Sequence, residues 1–219
     1  FPELCLTGYT CGDLFFQQTL LTSALNGLET ILKELKQEDI ICIVGLPIKV
    51  ETNLYNCAAV CYHGKLLGIV PKTNLVDQGG LNETRYFCTA PTYRDIMLCN
   101  QTVPFGTNII FACDTLTEFQ FGVEICKDIW VTEPPSNVLA KEGATVIFNL
   151  SASTEVVGRA AYRKTLVTGQ SAKLICAYVY ADAGEGESTT DYVYSGHDLI
   201  AENGTILAES PLFYTGFID

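Results

Sequence analysis

Three ionisable side chains each close an apolar run of this sequence. Glu3 lies within Phe1-Pro2-Glu3-Leu4-Cys5-Leu6-Thr7-Gly8-Tyr9, Lys72 follows Gly68-Ile69-Val70-Pro71, and Cys126 ends the apolar run at 119–125. Together they supply a carboxylate, an ammonium and a thiol. A thiol at the end of a core strand, where the chain turns sharply, is held rigidly enough to act as a nucleophile. A fixed ammonium stabilises the oxyanion formed when an amide carbonyl is attacked. Glu83, one short loop beyond Lys72, adds a second carboxylate. Each residue also has an ordinary structural role. Most cysteines pack as small hydrophobes, lysines just past strands are commonly exposed, and Glu83 could form a surface ion pair with Arg85 worth little.

In this chain order, Glu3, Lys72 and Cys126 resemble the Glu-Lys-Cys triad of the nitrilase (carbon–nitrogen hydrolase) superfamily. Within it, the chain resembles the glutaminase domains of glutamine-dependent NAD+ synthetases. The similarity runs from Pro2-Glu3-Leu4-Cys5-Leu6-Thr7-Gly8-Tyr9 to Ala177-Tyr178-Val179-Tyr180 and Gly184-Glu185-Gly186-Glu187-Ser188-Thr189-Thr190-Asp191. It implies an α/β fold, the αββα sandwich of two face-to-face sheets with helices outside, in one domain over 1–219. It also implies hydrolysis of the glutamine side-chain amide. Glu3 is the implied general base and acid, Cys126 the nucleophile, and Lys72 with the backbone N–H of Lys127 the oxyanion donors. Glu83 supports the lysine, while Tyr9, Ser153 and Arg159 border the substrate. The glutaminase step needs no cofactor. ATP and Mg2+ belong to a C-terminal synthetase domain, which would receive the ammonia and which this sequence lacks. The family further implies a homo-oligomer in the cytoplasm, and a leading strand ahead of Glu3, so the chain is expected to be a fragment. Lys127 departs from the acidic residue usual after the family's cysteine, and the loop 73–82 departs from the tyrosines and proline of many bacterial members. Two other readings stand beside this one: a stand-alone amidase or nitrilase acting on another amide, and a catalytically silent assembly domain.

Composition bounds the choice. The chain has 219 residues, is 48% hydrophobic and carries a net charge of −12. That length buries a full core, and the negative charge disfavours nucleic acid or an anionic membrane as partner. No apolar run reaches membrane-spanning length. There are 10 cysteines, but Cys42, Cys57, Cys61, Cys113 and Cys176 lie inside apolar runs, as reduced core cysteines do. No Cys-x-x-Cys pair suggests zinc. His63 falls in a turn and His197 in a late strand, which disfavours a Cys–His pair. Asn-x-Ser/Thr triplets at Asn82, Asn100, Asn149 and Asn203 are short enough to arise by chance.

The elements that must position these residues follow from periodicity. Asp13 is placed as N-cap of a long helix carrying Leu20, Leu21, Ala24, Leu25, Leu28, Ile31, Leu32 and Leu35 on one face. Strands are predicted at 40–47, 56–62 and 65–70, the last two joined by a turn at His63-Gly64. Further strands are predicted at 107–113, 117–125, 144–150 and 174–181, with helices at 137–142 and 159–173. A final strand pair at 192–200 and 205–209 meets at Asn203-Gly204, and 182–191 reads as loop. Alternating strands and helices suit layered α/β architecture.

Overall fold

The structure, a computed structural model, describes residues 1–78, 80–91 and 93–216. The chain divides near residue 109 into two compact units.

In the first unit, strands β1 (Cys42–Val50), β2 (Asn53–Tyr62), β3 (Lys65–Pro71), β6 (Arg94–Leu98) and β7 (Gln101–Phe105) form one sheet. Its order is β1-β2-β3-β7-β6, antiparallel except where β3 runs parallel to β7. A short ribbon of β4 (Asp77–Gln78) and β5 (Leu81–Asn82) follows Lys72. The turn between β2 and β3 places His63 at φ 46° and Gly64 at φ 73°. Two successive positive φ values are what a tight hairpin of this hand needs. Gly64 is also fixed by packing, because a Cβ there would lie 2.8 Å from Lys36 Cγ and 3.0 Å from the Leu32 carbonyl.

Helix α1 (Gln18–Glu34) lays Leu21, Ala24, Leu28 and Leu32 inward, one residue per turn. Leu28 and Leu32 join Val44, Leu46, Ile48, Cys57, Ala59, Ile69 and Phe105 in the core of this unit. The helix starts later than the sequence predicts. Asp13 does not cap it but sits in a 3-10 turn, Gly12–Phe16, and its carboxylate takes both Nε and Nη2 of Arg85, at 2.9 and 3.0 Å. A partner 72 residues away outcompetes the local cap.

The second unit is a sheet of order β13-β12-β11-β10-β9-β8. It comprises β8 (Phe111–Ala112), β9 (Gln120–Ile125), β10 (Val146–Ser151), β11 (Ala177–Asp182), β12 (Leu199–Glu202) and β13 (Thr205–Glu209). The central three strands, β9, β10 and β11, are parallel. Helices α2 (Pro135–Lys141) and α3 (Arg159–Leu174) connect them and pack on the sheet. β9 is almost continuously buried, as parallel strands covered by helices must be. Ligand sites in such sheets gather beyond the carboxyl ends of the strands. Those ends carry Cys126, Ser153 and Asp182.

Sequence periodicity misses the β6–β7 hairpin. Its turn uses Cys99 and Asn100, both at positive φ, with no glycine to announce it. The strand predicted at 107–113 shrinks to two residues, and that at 192–200 to its last part. All ten cysteines are free thiols, among them the five that the sequence places in apolar runs.

Candidate active site

Glu3, Lys72, Glu83 and Tyr9 come together in the first unit. Lys72 Nζ lies 2.6 Å from Glu3 Oε1 and 2.6 Å from Glu83 Oε1. The Tyr9 hydroxyl donates to the same Glu83 oxygen at 2.8 Å. The Val76 N–H donates to Glu83 Oε2 at 2.8 Å, so both oxygens of this carboxylate are engaged. All four side chains are buried, Lys72 to 1% exposure. The surface ion pair between Glu83 and Arg85 is thus not formed. Glu83 turns inward to the lysine while Arg85 pairs with Asp13.

Local backbone sets this cluster. Glu3 precedes Leu4, which takes φ 52° and accepts the N–H groups of Thr7 and Gly8 on its carbonyl. Lys72 follows β3, its N–H donating to the Asn56 carbonyl on neighbouring β2. Asn56 also donates its side-chain amide to Glu3 Oε1 at 2.6 Å. Sequence reading passes over Asn56, which looks like one polar position in an alternating strand. Its burial at 1% exposure is the signal that it serves a site.

The two oxygens of Glu3 differ. Oε1 takes Lys72 and Asn56, whereas Oε2 is buried and makes no hydrogen bond among the described residues. Burial is the largest influence on this carboxyl and raises its pKa to about 7, with Lys72 opposing and Glu83 reinforcing the rise. A carboxyl near neutrality with one uncommitted oxygen is equipped to take and return a proton.

Cys126 opens a 3-10 turn, Cys126–Trp130, directly after β9. Its φ is 46°, left-handed and sparsely populated for a residue with a Cβ. Such a conformation costs about 1–3 kcal/mol and persists only where surroundings impose it. Asp128 Oδ2 accepts the Ile125 N–H at 3.0 Å. Asn149 on β10 accepts the Cys126 N–H on Oδ1 at 2.9 Å. Asn149 is 1% exposed, so its Asn-x-Ser triplet is a core feature rather than an acceptor for sugar. Lys127 is the next residue of the same turn.

Ser153, just past β10, donates its N–H to Asp182 Oδ1 at 2.8 Å, and its hydroxyl accepts from Arg163 at 3.3 Å. Arg163, fully buried, also binds Glu155 at 3.2 Å and lies 2.8 Å from His197 Nδ1. Burial pushes the Asp182 carboxyl up to about 7 against the pull of Arg163. Sequence reading places Arg159 near the substrate and passes over Arg163. The structure stacks Arg159 over the Trp130 ring at 5.3 Å and puts Arg163 at the centre of this network. Of the loop 73–82, residue 79 lies outside the described residues. No group of three or more possible metal ligands occurs among the described residues, and no described helix is long and apolar enough to cross a membrane.

A strained cysteine at the end of a parallel strand, in a chain that also buries a Glu-Lys-Glu cluster, is the residue set of amide-bond hydrolases with a thiol nucleophile, and the chain belongs to the carbon–nitrogen hydrolase family, which it matches over residues 1–218. Among curated relatives, the glutamine-dependent NAD(+) synthetase of Mycobacterium tuberculosis is 41% identical over 217 residues. That alignment covers 99% of this chain and 32% of the relative. The human glutamine-dependent NAD(+) synthetase is 30% identical over 223 residues, covering 97% and 31% respectively. The crystal structure of such a synthetase from Cytophaga hutchinsonii superposes with TM-score 0.82 at 30% identity, over 95% of this chain and 33% of that one. A nitrilase-superfamily amidase from Nesterenkonia shares the fold at 16% identity and TM-score 0.75, over 96% of this chain and 72% of the other. The fold is therefore the α/β fold of this superfamily. The chain spans about a third of the length of the curated synthetases it matches.

Proposed function

We propose that residues 1–219 act as one glutaminase domain, releasing ammonia from the glutamine side chain for ATP-dependent amidation of nicotinic acid adenine dinucleotide to NAD+. The observation that carries this reading is Glu3, whose Oε2 is buried and uncommitted while Oε1 is anchored by Lys72 and Asn56. Glu3 takes the proton of the Cys126 thiol, and the sulfur attacks the carboxamide carbon. The carbonyl electron pair moves onto oxygen, where Lys72 and the Lys127 N–H stabilise it. Collapse breaks the C–N bond. Glu3 returns the proton to nitrogen, and ammonia leaves behind a thioester. Water then adds to the thioester, Glu3 taking its proton. Collapse breaks the C–S bond, glutamate departs, and Glu3 returns the proton to sulfur, restoring the thiol. One carboxylate serves both halves because ammonia leaves before water enters. Glu83, held by Tyr9 and Val76, keeps Lys72 in place. Tyr9, Lys127, Ser153 and Arg159 border the substrate, and the protein assembles as a homo-oligomer in the cytoplasm. ATP and Mg2+ belong to the synthetase domain that follows in the relatives, and the glutaminase step uses no cofactor.

The test is ammonia release from glutamine by the parent protein and by Cys126→Ala. The expected loss is a factor on the order of 10^4 or more. A variant as fast as the parent would overturn the mechanism. Release from short aliphatic amides in preference to glutamine would instead favour a stand-alone amidase.

A further inference from the structure

Cys126 sits in a backbone conformation that its own chemistry disfavours, so something must hold it there. Asn149 does so from two sides. Its Oδ1 accepts the Cys126 N–H at 2.9 Å, and its Nδ2 donates to the Cys126 carbonyl at 3.4 Å. The orientation of the amide is unambiguous, since a backbone N–H can only donate and must face the oxygen. The second N–H of the amide donates to the Tyr178 hydroxyl at 3.0 Å. That hydroxyl then donates to Glu124 Oε1, two residues before the nucleophile. Glu124 Oε2 accepts the Ser136 N–H in the first turn of α2 at 2.8 Å, and the Ser136 hydroxyl accepts from Gln170 of α3 at 3.0 Å. Cys126, Asn149, Tyr178, Glu124 and Ser136 are all buried.

Each N–H and O–H donor named in this network has its own acceptor. A buried network so satisfied is rigid. It spans β9, β10 and β11 and reaches both helices that cover them, so the turn is tied to the stiffest part of its unit. A core built only for stability would not need to clamp both polar groups of one residue through a single side chain.

We propose that Asn149 is a positioning residue for the nucleophile, its carboxamide locking the left-handed turn of Cys126 and being itself oriented by Tyr178 and Glu124. The proposal rests on Cys126 as nucleophile. It adds that the aim of the sulfur, and not only its presence, is set by residues that never touch substrate. Asn149→Asp keeps the shape and the acceptor for the Cys126 N–H but removes both donors. Tyr178→Phe leaves Asn149 in place and removes the group that orients it.

The experiment measures steady-state ammonia release from glutamine, together with the second-order rate of Cys126 alkylation by iodoacetamide, in the parent and both variants. Asn149→Asp is expected to lower kcat about 10- to 100-fold with KM within about 2-fold, since small misplacements of a reacting group carry penalties of that size. Tyr178→Phe is expected to lower it about 3- to 10-fold, and alkylation should slow in parallel in both. Folded variants, by circular dichroism, with the parent's kcat and alkylation rate would overturn the proposal. If Asn149→Asp does not fold, Tyr178→Phe decides alone. If the parent releases no ammonia from glutamine yet alkylation still depends on Asn149 and Tyr178, the positioning role stands and the glutaminase reading falls.

Discussion

Glu3 shares one lysine with a second carboxylate, all three side chains buried. If both carboxylates ionise, Lys72 cancels only one of the two charges. The surplus has no solvent to spread into, which is why burial and Glu83 together outweigh the pull of Lys72 and bring Glu3 to about 7. This has a kinetic consequence. If Glu3 is the proposed general base, it must be unprotonated when Cys126 attacks, so kcat/KM for ammonia release should rise with pH through an apparent pKa near 7. Below that point the rate should fall about tenfold per pH unit. Glu3→Gln should lose about 10^2- to 10^4-fold and show no such limb. A parent profile whose rising limb lies near pH 4, where ordinary carboxyls titrate, would show that Glu3 is not the base.

At the scale of elements, β9 must hold its depth to deliver Cys126, and Gly122 lets it pack closely on α2. A Cβ on Gly122 would meet Leu139 of α2 at 2.7 Å from Cδ1 and 3.1 Å from Cβ. Gly122→Ala is therefore expected to destabilise by about 1–3 kcal/mol, as overpacking does. Because the clash is with one side chain, Leu139→Ala in the same protein should recover part of the loss. A double-mutant cycle by urea denaturation measures it. Additive effects would place the strain elsewhere. How much of this was legible beforehand depends on the range of the interaction. The turns at His63-Gly64 and Asn203-Gly204 are read from adjacent residues and form where expected, although the strand leading into the second is shorter and later than predicted. The apolar run before Cys126 ends where the strand ends. What escapes is fixed across the chain. Asp13 has the right type for a cap, yet Arg85 claims it. Tyr178 reads as one more apolar strand position, and Asn149 as part of a glycosylation triplet, until the hydrogen bonds show Asn149 holding the Cys126 turn and Tyr178 holding Asn149. A polar residue inside an apolar run was the available signal. Only the fold says which partner it meets.

For the molecule as a whole, the buried acids set how stability depends on pH. Glu3, Glu124 and Asp182 are each raised to about 7, in every case first by burial, and Asp198 moves the same way. The ordinary values are 4.5 for the glutamates and 3.8 for the aspartates. Between those values and about 7, the folded state holds protons that the unfolded chain has released. The sign follows from linkage: this contribution is fully present below the unfolded pKa values and is lost as pH rises through the folded ones. Asp13 and Glu209 shift downward, but they titrate below 3.8 and 4.5 and so do not act in this window. Urea unfolding at pH 5.5 should therefore give a larger free energy than at pH 8, by on the order of 1–2 kcal/mol for each of Glu3, Glu124 and Asp182. Glu124→Gln should flatten the dependence by one group's share while leaving the sign unchanged. It keeps an acceptor for Tyr178 or for Ser136 and removes the titrating carboxyl at that place. A stability that stays level or climbs from pH 5.5 to 8 would mean that these carboxyls find more compensation in the folded protein than Lys72, Arg163 and Tyr178 provide.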